Sequence, residues 1–162
     1  MEETNTQKKH DWRNWVIAIL GLTLIFAGVF SDNKEAESIA VSNGTTMTTV
    51  SMTNELCSNE EEIANVAKIC SVSSNSIRIF IAAYRDKQID KTADLVAELQ
   101  TSIEMDLDRN EIAVDIPSTT IIAYIIARIP EPGEDAVLWL NRLEYIADGL
   151  YQASLILNKT KK

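Results

Sequence analysis

At 162 residues the chain has room for one small domain besides an N-terminal segment, and a hydrophobic fraction of 46% is enough to bury a core. Its 24 acidic against 15 basic side chains leave a formal net charge of -9, which repels phosphate backbones and anionic headgroups, so nucleic acid is not an expected partner. The only histidine, His10, leaves everything downstream without an imidazole for acid-base catalysis, a Ser-His pair or a histidine zinc site.

Residues 1–14 read as a short cytoplasmic stub. Residues 15–30 carry no charge, and as a helix they measure about 24 Å, close to a hydrocarbon core of about 30 Å. Trp12 suits the interface and Arg13 can snorkel to the headgroups, so a span feasibly runs through Trp15, Leu20, Leu24 and Phe30. No polar face recurs along this run, as a soluble core helix would require. Cleavage as a signal peptide is the rival reading, with Val29-Phe30-Ser31 or Ser38-Ile39-Ala40 as the small-residue sites. Lys8, Lys9 and Arg13 precede the run and only Lys34 closely follows it, so the N-terminus stays in the cytoplasm and the rest is exported, to the periplasm in a Gram-negative cell. The first 30 residues hold three acids and three bases, so the whole negative charge falls on the exported part.

Residues 31–54 are rich in Ser, Thr and Asn without a sustained hydrophobic period, which reads as a flexible tether. Two sequons, at Asn43 and Asn158, are three-residue matches of the kind that arise by chance. From residue 55 to 162 the periodicity is helical, giving an acidic extracytoplasmic domain. Ser58 with Glu61 forms a capping-box pattern, Glu60 to Glu62 place negative charge at a helix N-terminus, and Ile63, Val66, Ala67 and Cys70 share one face. After Ser73 or Ser74 as a new cap, Ile77, Phe80, Ile81 and Tyr84 repeat that spacing. A third helix, about 90–107, presents Leu95, Val96, Leu99 and Ile103. Residues 111–117 alternate like a strand that has nothing to pair with, and so read as an extended connector. Ser118 caps Thr119 to Ile129, apolar nearly all round and expected to be the buried central helix. The last helix, about 134–158, carries a seam of Leu140, Leu143, Ala147, Leu150, Ser154 and Leu157, with Gly149 marking a close helix contact. The expected fold is therefore all-α: an N-terminal transmembrane helix, a flexible linker and a compact bundle of about five helices.

Candidate chemistry is sparse. Asp106, Asp108 and Asn110 begin like a calcium loop, but the sixth and twelfth positions are Glu111 and Pro117 instead of Gly and Glu, so no metal site is assigned. No phosphate loop follows a strand, and no cofactor is expected. Glu60 to Glu62 read as capping charges before they read as an acid-base pair. Arg78, Arg85 and Arg128 read as structural ion pairs before they read as an anion site. Cys57 and Cys70 form a candidate disulfide; one continuous helix between them would hold them about 20 Å apart, so a bridge requires the chain before Ser58 to fold back. Reduced thiols and an intermolecular bridge are the alternatives.

The architecture is similar to that of bacterial secretion or conjugation accessories, immunity proteins and phage lysis regulators, a similarity that carries no residues across. A tethered, foldable domain without a catalytic constellation reads as a non-enzymatic single-pass protein whose exported domain binds another protein of the cell envelope, a basic one where the role is that of an inhibitor or immunity protein. The alternatives are a ligand- or metal-sensing domain with the 119–129 helix lining a pocket, a soluble secreted helical protein after cleavage, and a carboxylate-only glycosidase. Intact-mass measurement of native protein without reductant, in separated membrane and soluble fractions, distinguishes these topologies. A retained anchor gives a full-length species in the membrane, cleavage gives one beginning after Ser31 or Ala40, and a bridge lowers the mass by about two units.

Overall fold

The structure, a computed structural model, describes residues 34–85, 93–112, 115–131 and 135–159. Five helices account for nearly all of these: α1 (Lys34–Leu56), α2 (Glu60–Tyr84), α3 (Ala93–Arg109), α4 (Ile116–Arg128) and α5 (Ala136–Lys159), with no strand among the described residues. The all-α expectation therefore holds. The candidate span through Trp15, Leu20, Leu24 and Phe30 lies outside the described residues. Of the described helices, only α2 is long and apolar enough to cross a membrane by length and composition, and more than half of its apolar window is buried in the bundle. The chain divides into two compact units, Met1–Ala40 and Val41–Lys162, and the division falls within α1. In the first unit the described part is the beginning of α1, where Ile39 is exposed.

In the second unit α2 and α5 form the axis, with α3 and α4 also packed on α2. Val66, Ile69, Cys70, Ile77 and Phe80 of α2 are buried together with Trp139, Leu143, Ile146, Leu150 and Leu157 of α5. Each fully buried Leu or Ile contributes about 1.5–3 kcal/mol relative to an exposed one. The two helices run antiparallel, since Arg78 pairs with Asp148 and Arg85, further along α2, with the earlier Glu144.

Four expectations need correction. The segment 31–54 is not a flexible linker over its described length: α1 makes it helical, and the compact unit starts at Val41, not near Asn54. The cause is tertiary. Thr45, Thr46, Thr49 and Thr53 form one buried face at helical spacing, and hydroxyls that favour irregular backbone in a free chain are held here against other helices.

Second, α2 is not broken at Ser73 or Ser74. Ser74 Oγ donates to Ala147 O on α5 at 2.7 Å, and Ser76 Oγ reaches Asp106 Oδ2 on α3 at 2.7 Å, so these serines bridge helices instead of capping one. Ser73 Oγ is buried with no hydrogen-bond partner among the described residues.

Third, the helix expected at the centre, α4, lies at the edge. Only Ser118, Ile121 and Ile125 are buried along it, while Thr119, Ala123 and Ala127 are exposed and Ile116 is 84% exposed. Thus the helix count of five agrees with expectation only because merging two helices into α2 is offset by the addition of α1.

Fourth, both caps shift by a few residues. Asn59, not Ser58, caps α2 by accepting from Glu62 N at 2.9 Å, and the Glu62 carboxylate reaches back to Ser58 N. Asp115, not Ser118, caps α4 by accepting from Ser118 N at 2.7 Å, which leaves Ser118 Oγ to accept from Asn65 of α2. An Asp or Asn carboxyl or amide oxygen just before a helix satisfies an otherwise orphaned N–H.

Gly149 does mark a close contact. A Cβ there would lie 2.6 Å from Ser42 O and 2.7 Å from Thr45 Cβ, so α1 rests directly against the α5 backbone.

Helix α3 ends in a Schellman motif, with Ile112 N bonded to Leu107 O and Glu111 N to Asp108 O. This requires a left-handed residue at Glu111, φ 50°, where a Cβ costs about 1–2 kcal/mol. Glu111→Gly is expected to raise stability by about 1 kcal/mol, somewhat less than the strain because glycine also gains freedom in the unfolded chain. Thermal unfolding of the purified domain checks this.

Candidate functional site

The seam between α2 and α3 brings together a tyrosine, a serine and two carboxylates. Tyr84 Oη donates to Glu98, and Ser76 pairs with Asp106, so the two helices are antiparallel with these contacts eight residues apart on each. Accepting the carboxylate's company raises the Tyr84 pKa, chiefly because the neutral hydroxyl donates to Glu98.

Beside these contacts each helix carries one large, exposed apolar side chain. Ile79 and Ala83 follow Ser76 at three and seven residues on α2, and Met105 adjoins Asp106 on α3. Ile79 is 57% exposed and Met105 50%; Met47, Ile116 and Val137 elsewhere are more exposed still, so it is the position beside the seam and not the exposure alone that sets the pair apart. Around Met105, α3 alone lines a shallow open depression, with Ala97, Glu98, Thr101, Ser102, Asp106 and Arg109. From Glu98 to Glu111 the chain carries five acids (Glu98, Glu104, Asp106, Asp108 and Glu111) against the single base Arg109, which is paired with Asp106 at 3.3 Å. Met105 thus sits on a strongly acidic helix, while the α2 side of the seam also carries Arg78 and Arg85, each paired with an acid of α5.

The calcium-like residues do not converge here. Asp106 and Asp108 lie on α3, Asp106 is engaged by Ser76 and Arg109, and Asn110 Nδ2 donates to the Asp106 carbonyl. Among the described residues no group of three or more His, Cys, Asp or Glu is placed to hold a metal ion.

The arginines separate. Arg78 binds Asp148 at 2.7 Å and lies over the Tyr151 ring, and Arg85 binds Glu144 at 3.0 Å. Arg128 instead stacks on Tyr124 and donates to its hydroxyl. All three are exposed and none shares a site with the others, so each pair contributes at most about 1 kcal/mol. Glu60, Glu61 and Glu62 fall in the first turn of α2, where charge complements the helix dipole.

Cys57 and Cys70 are both free thiols. Cys57 precedes the Asn59 cap, while Cys70 sits in the third turn of α2, about 15 Å along the helix from Glu60. Cys70 is fully buried, and burial pushes its thiol up to about 12. Cys57 is half-buried between α1 and α2, and its thiol is also raised, first by burial and then by the negative charges of Glu62 and Asp115.

The apolar seam itself escaped the sequence reading. Met105 and Ile79 fall off the buried faces of their helices, and that periodicity mismatch was the available signal. Comparison with family models, curated proteins and solved structures finds no match to this chain.

The thiols give a direct test. At pH 8 a maleimide should modify Cys57 and leave Cys70 untouched until the protein unfolds. Since the folded state holds the Cys70 proton more tightly than the unfolded chain, its contribution to stability is constant below pH 9 and declines as pH rises from about 9 towards 12. Cys70→Ala should flatten that alkaline decline in denaturant unfolding, at the cost of a small cavity.

Proposed function

We propose that this chain is a non-enzymatic, single-pass membrane protein whose helical domain, held outside the cytoplasm, binds another protein of the cell envelope. The observation that carries the reading is the pair Ile79 and Met105, exposed at the α2–α3 seam where α3 is rich in acids. An interface needs an apolar centre that is desolvated on binding, and a charged rim that steers and selects the partner.

The partner is basic. A protein presenting Lys or Arg around one or two apolar side chains would meet the acids of α3 while filling the depression beside Met105. Its association is accelerated by the opposite charge and weakened by salt, because rim charges are screened over about 10 Å at 0.1 M. The roles of secretion accessory, immunity protein and lysis regulator all require a protein partner, and the choice among them depends on which partner it is. The anchor at residues 15–30 supports the location: it keeps the domain near the membrane and raises its effective concentration towards membrane-bound partners.

A photo-crosslinking side chain introduced in cells at Ile79 or Met105, and at exposed Gln152 on α5 as control, tests the surface. Adducts with one basic protein are expected at the two seam positions and not at Gln152, with Met105→Glu weakening its binding by about tenfold. Equal adducts at all three positions, or a partner whose binding is insensitive to Met105→Glu and to salt, would overturn the assignment.

A further inference from the structure

Helix α1 is built from residues that disfavour helix. From Val41 to Asn54 it contains Gly44, two asparagines, and a run of β-branched and hydroxyl side chains, with two methionines as the only strong helix formers. An isolated helix of this length is marginal even with alanine-rich sequence, so its helicity depends on docking.

The docking contacts are of an unusual kind. The fully or nearly buried side chains of α1 are Thr45, Thr46, Thr49 and Thr53, whereas α2 and α5 bury Ile, Leu, Phe and Trp. Thr49 and Thr53 spend their hydroxyl protons on carbonyls of α1 itself, Thr45 O at 2.7 Å and Thr49 O at 2.7 Å. Thr46 Oγ lies 2.9 Å from Ser42 O and 3.0 Å from Gly149 O, so its one proton is divided between its own helix and α5. Close approach at Gly149 supplies shape complementarity, and the apolar contribution of α1 is limited to Val41, Val50 and Met52, which are only partly buried against the core.

We propose that α1 from Val41 to Leu56 is a releasable strap, which undocks from α5 and loses its helix in one step while α2 to α5 remain folded. Cys57 to Asn59 form the hinge, since the Asn59 cap holds the start of α2 independently of α1. Release lengthens this stretch from about 24 Å to about 50 Å and uncovers the α5 backbone at Gly149. Its use as an extensible tether rests on the membrane-anchored reading; the undocking itself does not.

Hydrogen exchange by mass spectrometry on the full chain in detergent micelles tests the strap. Amides in peptides covering 41–56 are expected to exchange about 100-fold faster than those in 66–81 and 143–157. Thr46→Val keeps the side-chain shape and removes the bond to Gly149 O; Gly149→Ala forces the helices apart. Both should accelerate exchange in 41–56 by a further factor of about ten and leave 66–81 unchanged. Protection of 41–56 equal to that of α2 and α5, or acceleration by Thr46→Val throughout the domain, would show a single cooperative unit and overturn the proposal. If Gly149→Ala does not fold, Thr46→Val alone decides the outcome.

Discussion

The hydrogen bond from Ser74 of α2 to the carbonyl of Ala147 marks the contact on which the remaining helices depend. Two long helices approach closely where small side chains face each other, and here Ser74 of α2 meets the α5 backbone at Ala147, while Gly149 two residues on admits α1. Larger residues on both sides of this point close the core: Phe80 meets the edge of Trp139 at one end, with ring centroids 6.0 Å apart, and Trp139 is fixed in turn by its Nε1 donating to Pro130 O. The α3 helix then attaches to α2 by two side-chain hydrogen bonds, Ser76 to Asp106 and Tyr84 to Glu98, and α4 by one, Asn65 to Ser118, across largely apolar faces.

This arrangement separates two grades of packing. The α2–α5 pair and the inward face of α3 bury Leu99, Ile103, Leu143 and Leu150 completely, so loss of any one to alanine would cost about 2–5 kcal/mol. Against them, α1 buries threonines whose hydroxyls are largely occupied within their own helix. The domain thus has a firm body and one weakly held element next to the chain's N-terminal unit. An element of that kind is where a small change in load or binding is able to shift a population, because the free energy to be overcome is local.

Legibility in the sequence followed the type of side chain. The buried faces of α2, α3 and α5 were plain because Ile, Leu and Phe recur at three- and four-residue spacing, and the Gly149 contact was anticipated from a glycine where helix propensity opposes it. Serine and threonine misled in both directions. In α2 they suggested a break and in α1 a tether, since their hydroxyls serve a cap, a turn or a cross-helix bond equally well and only the neighbouring helix decides which. The α4 helix misled for a different reason: an apolar surface all round states that burial is favourable, not that enough neighbours exist to provide it. The exposed pair Ile79 and Met105 was not read, because two residues off the pattern are individually ordinary and come to the same seam only when α2 and α3 lie side by side.

By itself the sequence determined the helical class, the negative charge of the domain, the apolar N-terminal run and the lack of a histidine beyond residue 10. These depend on composition and local period, which are properties of the chain before it folds. The tertiary structure decided which helix is central, where the compact unit begins, which hydroxyls bridge helices and which apolar side chains remain at the surface. Each of those is a choice among partners distant in sequence, such as Ser74 with Ala147 or Thr46 with Gly149, and no local pattern encodes it.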